Sequence, residues 1–77
     1  MQPNTHRRFK PEVIHVYTEL VEDIYDASFV IELEASVSFD TDEATVTEWF
    51  IDGRRQSLLA LDERMALAFI RLAEDER

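Results

Sequence analysis

Apolar and polar residues alternate through residues 28–39 for longer than anywhere else in the chain. Phe29, Ile31, Leu33, Ala35, Val37 and Phe39 share one parity. Ser28, Val30, Glu32, Glu34, Ser36 and Ser38 share the other, with Val30 the one apolar intruder. A period of two over this length predicts a long β-strand with a core face and a wet face. Residues 44–52, rich in Thr, Val, Trp, Phe and Ile, predict a second strand, reached through a polar turn at Asp40, Thr41, Asp42 and Glu43.

Register decides what this hairpin presents. Pairing Phe39 with Ala44 would carry Glu48 and Asp52 onto the apolar face. Shifting by one pairs Phe39 with Thr45, Val37 with Thr47, Ala35 with Trp49 and Leu33 with Ile51, setting a large ring beside a small residue. One slip exchanges the two faces entirely, so burial selects the second register. Glu32, Glu34, Glu48 and Asp52 then share the outer face with Val46 and Phe50.

On either side of the hairpin the pattern predicts helices. Val13, Val16, Tyr17, Leu20, Val21 and Ile24 recur at three and four, which predicts a helix over residues 11–26 with Glu12, His15, Glu19, Glu22, Asp23 and Asp26 opposite. Pro11 suits its first turn, and Glu12 suits the positive end of the dipole. Glu22, Asp23 and Asp26 at the far end oppose that dipole, a conflict that suggests they are kept for another reason. Beyond the turn at Asp52, Gly53, Arg54 and Arg55, a third strand competes with a helix. The spacing of Leu58, Leu61, Met65, Phe69 and Leu72, flanked by Ala68 and Ala73, favours a helix from Leu58 to Glu74 capped by Ser57. Leu59, Leu67 and Ile70 lie off that stripe and either widen the core face or form a second contact surface.

The expected fold is therefore α+β in the order α-β-β-α, a long antiparallel hairpin with two helices packed on one face. Such a hairpin keeps two open edges, so a homodimer is expected, with hairpins joined edge to edge. Residues 1–10 read as a flexible basic tail, and residues 11–77 as a single α+β domain. The 77-residue chain is near the lower size limit for an unassisted core and has no Cys to staple it. The N-terminal stretch has no apolar segment of the signal-peptide kind, and no apolar run approaches a membrane span, so a cytoplasmic protein with no membrane partner is expected.

Charge sharpens the picture. The net charge is −9, and it is unevenly placed. Glu12, Glu19, Glu22, Asp23, Asp26, Glu32, Glu34, Asp40, Asp42, Glu43, Glu48 and Asp52 all fall between Pro11 and Gly53, a segment without a single Lys or Arg. That field repels nucleic-acid phosphates and attracts a basic partner.

Chemistry is harder to find. One His in an ordered element cannot complete a four-ligand zinc site. His15 with Glu12 and Glu19 reads as a solvated polar face. Asp40, Asp42 and Glu43 lack the central Gly and later Glu of a calcium loop. No Ser has an evident base and no Gly-rich loop cradles phosphate, so neither an enzyme nor a cofactor is expected. Trp49 reads as core. The expectation is a small acidic, non-catalytic binding protein that inhibits or regulates a basic, nucleic-acid-handling host protein. A nuclease, a CRISPR effector or a transcription factor would fit, in the manner of phage-type inhibitors such as anti-CRISPRs or DNA mimics. Glu32, Glu34, Glu48 and Asp52 would supply charge, Phe50 an apolar anchor, and Glu19, Glu22, Asp23 and Asp26 a second acidic row. The alternatives are a self-associating assembly protein and an antitoxin-like regulatory subunit whose basic tail orders on its partner.

Overall fold

The computed structural model of the protein describes residues 11–41 and 43–77. The expected basic tail at residues 1–10 and Asp42 of the polar turn lie outside the described residues. The chain runs through β1 (Glu12–Ile24), β2 (Ala27–Phe39), β3 (Ala44–Ile51), β4 (Arg54–Gln56), a 3₁₀ turn (Leu58–Ala60) and α1 (Glu63–Glu76). The strands form one antiparallel sheet in the order β1-β2-β3-β4.

The first expected helix is a strand. β1 pairs with β2 without interruption from Glu12↔Phe39 to Ile24↔Ala27. Its apolar residues recur at three and four because both of its faces carry them. Ile14 and Val16 point to the core, while Val13, Tyr17 and Val21 stand exposed on the other side. β-Branched residues at 13, 14, 16, 18, 21 and 24 fit a pleated surface better than a helix. As a strand, β1 also meets the backbone hydrogen-bonding needs of β2, which a helix laid on the hairpin would leave open along that edge. With β2 paired to β1 on one side and to β3 on the other, the two-stranded hairpin with both edges open, which called for a second copy, is not what forms. The fold is four strands and one α-helix, not two strands and two helices.

Half of the expected β2–β3 register holds. Leu33 pairs with Ile51 and Ala35 with Trp49, but a bulge at Ser36/Val37 shifts the rest, pairing Val37 with Val46 and Phe39 with Ala44. The extra residue reconciles the two registers. It turns Val46 into the core, keeps Glu48 out, and leaves Thr47 to donate its hydroxyl to the Ser36 carbonyl at 3.3 Å.

The Asp52–Gly53 turn has φ of +49° and +80°, the left-handed pair that a two-residue hairpin loop needs, so β4 does follow. The helix then begins later than the spacing suggested. Ser57 caps only the 3₁₀ turn, through Leu59 N–H, and Leu61 is extended. Asp62 caps α1, accepting from Met65 N–H at 2.9 Å. α1 lays Met65, Phe69, Leu72 and Ala73 over one face of the sheet. There Val16, Leu33, Ala35, Val37, Phe39, Val46 and Trp49 meet Phe69 and Ala73 in the buried core. Trp49 is core as expected, and its indole N–H donates to the Ser57 carbonyl at 2.9 Å. At the other end Arg77 lies 4.3 Å over the Phe39 ring and bonds Glu12 at 3.0 Å, tying helix to sheet.

Beyond Leu33 the β1–β2 hairpin outruns the rest of the sheet. β3 pairs β2 only from Leu33 onward, so residues 19–32 form a two-stranded arm. Leu20, Val21, Ile24, Phe29 and Val30 stay exposed along it. Its two-residue loop uses Tyr25 (φ +49°) and Asp26 (φ +64°), neither of them glycine.

Two outcomes follow from this packing. Phe69 is 1 % exposed at the helix–sheet contact, so Phe69→Ala should cost about 3–5 kcal/mol in chemical denaturation. Replacing Tyr25 and Asp26 by Asn and Gly, the residues this turn prefers, should raise the stability of the arm by about 1 kcal/mol, read by hydrogen exchange of its amides.

Candidate partner-binding surface

With α1 on one face, the opposite face of the sheet is uncovered by any described element. Strand alternation decides its membership. β1 contributes Val13, His15, Tyr17, Glu19, Val21 and Asp23; β2 contributes Val30, Glu32, Glu34 and Ser36; β3 contributes Glu48 and Phe50; β4 contributes Arg55. Across the strands Glu19 stands opposite Glu32, Tyr17 opposite Glu34, Glu34 opposite Phe50, and Phe50 opposite Arg55.

The sequence-derived residues divide on this geometry. Glu32, Glu34, Glu48 and Phe50 share the open face. Asp52 does not display its charge there. It sits in the β3–β4 turn and accepts from Glu32 N–H at 2.9 Å, while its own N–H donates to the Glu32 carbonyl at 2.8 Å. Glu19 and Asp23 join the face, and Asp23 accepts from the Ser28 hydroxyl at 2.6 Å. Glu22 points to the α1 side, opposite Phe29, and Asp26 lies in the arm's loop. The second acidic row was expected along a helix. A strand splits those four carboxylates between two faces and a turn because its side chains alternate.

The same alternation dissolves the Glu12, His15, Glu19 grouping, since Glu12 falls on the α1 side. His15 instead joins a network. Its Nδ1 lies 3.1 Å from Ser36 Oγ, its Nε2 lies 3.4 Å from Glu34 Oε1, and Ser36 donates to Glu48 Oε2 at 3.1 Å. Ser36 is the buried polar residue of the sheet, and these partners satisfy it. The order Ser36–His15–Glu34 resembles a nucleophile, base and acid in composition only. Ser36 is 6 % exposed and donates its hydroxyl hydrogen bond to Glu48. Two concavities among the described residues lie elsewhere, one between Thr18 and α1 and one by Phe39, Asp40 and Arg77. Among the described residues no group of three or more His, Asp or Glu is placed to hold a metal ion. Asp40 and Glu43 make a plain turn, with Asp40 N–H donating to the Glu43 carbonyl at 2.8 Å.

Tyr17, His15 and Arg55 belong to this face and were not read from the pattern as part of it. Tyr17 and His15 become legible only once β1 is a strand. Arg55 depends on the Asp52–Gly53 turn continuing the sheet. Tyr17 is the most informative of the three. Its hydroxyl donates to Glu19 Oε2 at 3.5 Å. Partial desolvation first, then the hydrogen bond and charge of Glu32, then those of Glu19 raise its phenol above the ordinary value. The chain matches no protein-family model, no curated protein and no solved structure, so this face is read from its own chemistry.

The raised phenol gives a direct check. Both folded and unfolded chains keep Tyr17 neutral well below about pH 10. Above that the unfolded chain ionises first, so folding loses stability as the pH rises through the folded value. In Tyr25→Phe, which leaves one phenol, ultraviolet titration should show Tyr17 ionising above a free tyrosine, and adding Glu32→Gln should lower it part of the way, with desolvation and Glu19 holding the remainder.

Proposed function

We propose that this protein acts by binding. Its open acidic face engages the basic surface of a nucleic-acid-handling protein and competes there with nucleic acid, so that the chain inhibits or regulates its partner. The observation that carries this reading is the Glu19–Glu32 pair. Two carboxylates stand directly opposite on neighbouring strands with no Lys or Arg between Pro11 and Gly53 to offset them. Like charges so placed destabilise a sheet. A chain that keeps them, beside Glu34 and Glu48, gains from them in a complex where cations lie between them. Phe50, half-buried between Glu34 and Arg55, adds an apolar anchor of the sort that concentrates binding energy.

Spacing also supports phosphate mimicry. Same-face residues on one strand are about 6.6–6.8 Å apart, so Glu32 and Glu34 form a short, regular row of charge with Glu19 and Glu48 on the flanking strands. Nucleases, CRISPR effectors and transcription factors all offer basic grooves built for such a row, and a phage-type inhibitor is the biological setting that suits it. Direct binding to nucleic acid is disfavoured by the same charges.

The test is a salt-graded pull-down from host lysate followed by direct titration of the recovered partner. A basic nucleic-acid-binding protein should be held at low salt and released at high salt. Glu32→Lys with Glu34→Lys should weaken that binding at least about tenfold, or about 1.4 kcal/mol, while the circular dichroism of the fold is unchanged. Undiminished binding by the folded double variant would remove this face from the interaction.

A further inference from the structure

We infer that two copies of this chain join through the free edge of β1, antiparallel and centred on Tyr17, to make one continuous sheet. β1 is the edge strand, and no described residue pairs with its outer side. Its ladder to β2 runs thirteen residues without a bulge, and between Glu12 and Ile24 it contains no Pro and no Lys; its charged guards, Glu12, Glu19, Glu22 and Asp23, leave the stretch from Val13 to Thr18 without a carboxylate. The other side of the sheet is guarded: β4 is three residues long and the exposed part of β3 carries the bulge.

The outward groups can be assigned. The two-residue loop makes Ile24 and Ala27 a hydrogen-bonded pair, so even-numbered residues of β1 bond to β2. Val13, His15, Tyr17, Glu19 and Val21 therefore turn their N–H and C=O groups to the free edge. A two-fold axis at Tyr17 matches outward residues with outward residues. Val13 meets Val21 of the second copy, Ile14 meets Leu20, His15 meets the Glu19 carboxylate, Val16 meets Thr18, and Tyr17 meets itself. Val13, Tyr17 and Val21 on the open face and Leu20 on the other, between 43 % and 60 % exposed in the single chain, each gain a cross-strand neighbour. Moving the centre to Thr18 sets Ile14 against Glu22 and Val13 against Asp23. Moving it to Val16 sets Glu12 against Leu20 and Glu19 against Val13. Of the three, only the Tyr17 register sets no carboxylate against an apolar residue. Its one like-charge contact, Glu12 with Glu22, falls at the margin, where Arg77 already holds Glu12. This inference does not rest on the acidic-face reading. An axis perpendicular to the sheet leaves both open faces on one side.

Cysteine crosslinking reads the register, because the chain has no Cys of its own. Tyr17→Cys should form a disulfide dimer on mild oxidation, since a hydrogen-bonded cross-strand pair sits about 5.5 Å apart at Cα, inside the disulfide range. Val13→Cys alone should not, but mixed with Val21→Cys it should. Sedimentation equilibrium of the native chain should give twice the 9.0 kDa chain mass. Tyr17→Pro removes the outward N–H, together with the exposed phenol and its bond to Glu19, leaves the β1–β2 ladder its hydrogen bonds, and should give a folded monomer. A native chain that stays at 9.0 kDa at micromolar concentration, or a Tyr17→Cys chain that crosslinks no better than Val13→Cys alone, overturns the proposal. So does a dimer crosslinked only through α1, by Leu67→Cys. If Tyr17→Pro unfolds, the crosslinking pattern still decides.

Discussion

The thirteen residues of β2 present N–H and C=O groups on two edges, and each buried one needs a partner. β1 supplies them along the whole length of one edge, and β3 along the inner half of the other. The remaining elements follow from this double pairing. It makes β1 a strand, extends the β1–β2 arm past the core, and restricts the helix to the region where three strands lie side by side. The bulge at Ser36/Val37 is the adjustment that lets β3 turn both Trp49 and Val46 inward while Glu48 stays out.

A single helix can cover only one face of a four-stranded sheet. Phe69 and Ala73 close the core on that side, and the other side is left to carboxylates, aromatic rings and the exposed Val13, Val21 and Val30. Antiparallel sheets tolerate a wet face, but this one is unusual in its composition. Glu19 and Glu32 oppose each other, Tyr17 bridges toward both, and Ser36 is held by His15 and Glu48. The network around buried Ser36 fixes the sheet locally, and the exposed carboxylates Glu19 and Glu32 burden it. Arg55 and His15 lie toward Phe50 and Glu34, and the Glu19–Glu32 pair has no cation beside it among the described residues, which links the packing of the sheet to the proposed binding.

The β1–β2 arm shows the same tension between stability and use. Residues 19–30 are all exposed, and the loop holds two non-glycine residues in the left-handed region. Such backbone costs on the order of 1 kcal/mol, mainly at Tyr25, because Asp tolerates the left-handed region better. The arm persists because its ladder is continuous with the buried part of β1 and β2.

Local pattern by itself determined β2, β3, the Trp49–Ala35 contact, the apolar stripe of α1 and the outward placement of Glu32, Glu34, Glu48 and Phe50. Each rests on a periodicity that only one secondary structure satisfies. It did not determine β1. Apolar residues on both faces of a strand imitate a helical repeat, and Ile14, left out of the helical stripe, was the residue that told the two apart. Nor could it place the bulge or the start of α1, where Asp62 rather than Ser57 is the cap. Those features, and with them the fate of Glu22, Asp26 and Asp52, were decided by pairing across the chain. The reason is physical. A strand's hydrogen bonds are made to residues distant in sequence, so the local pattern shows which residues prefer a strand but not which edge requires one.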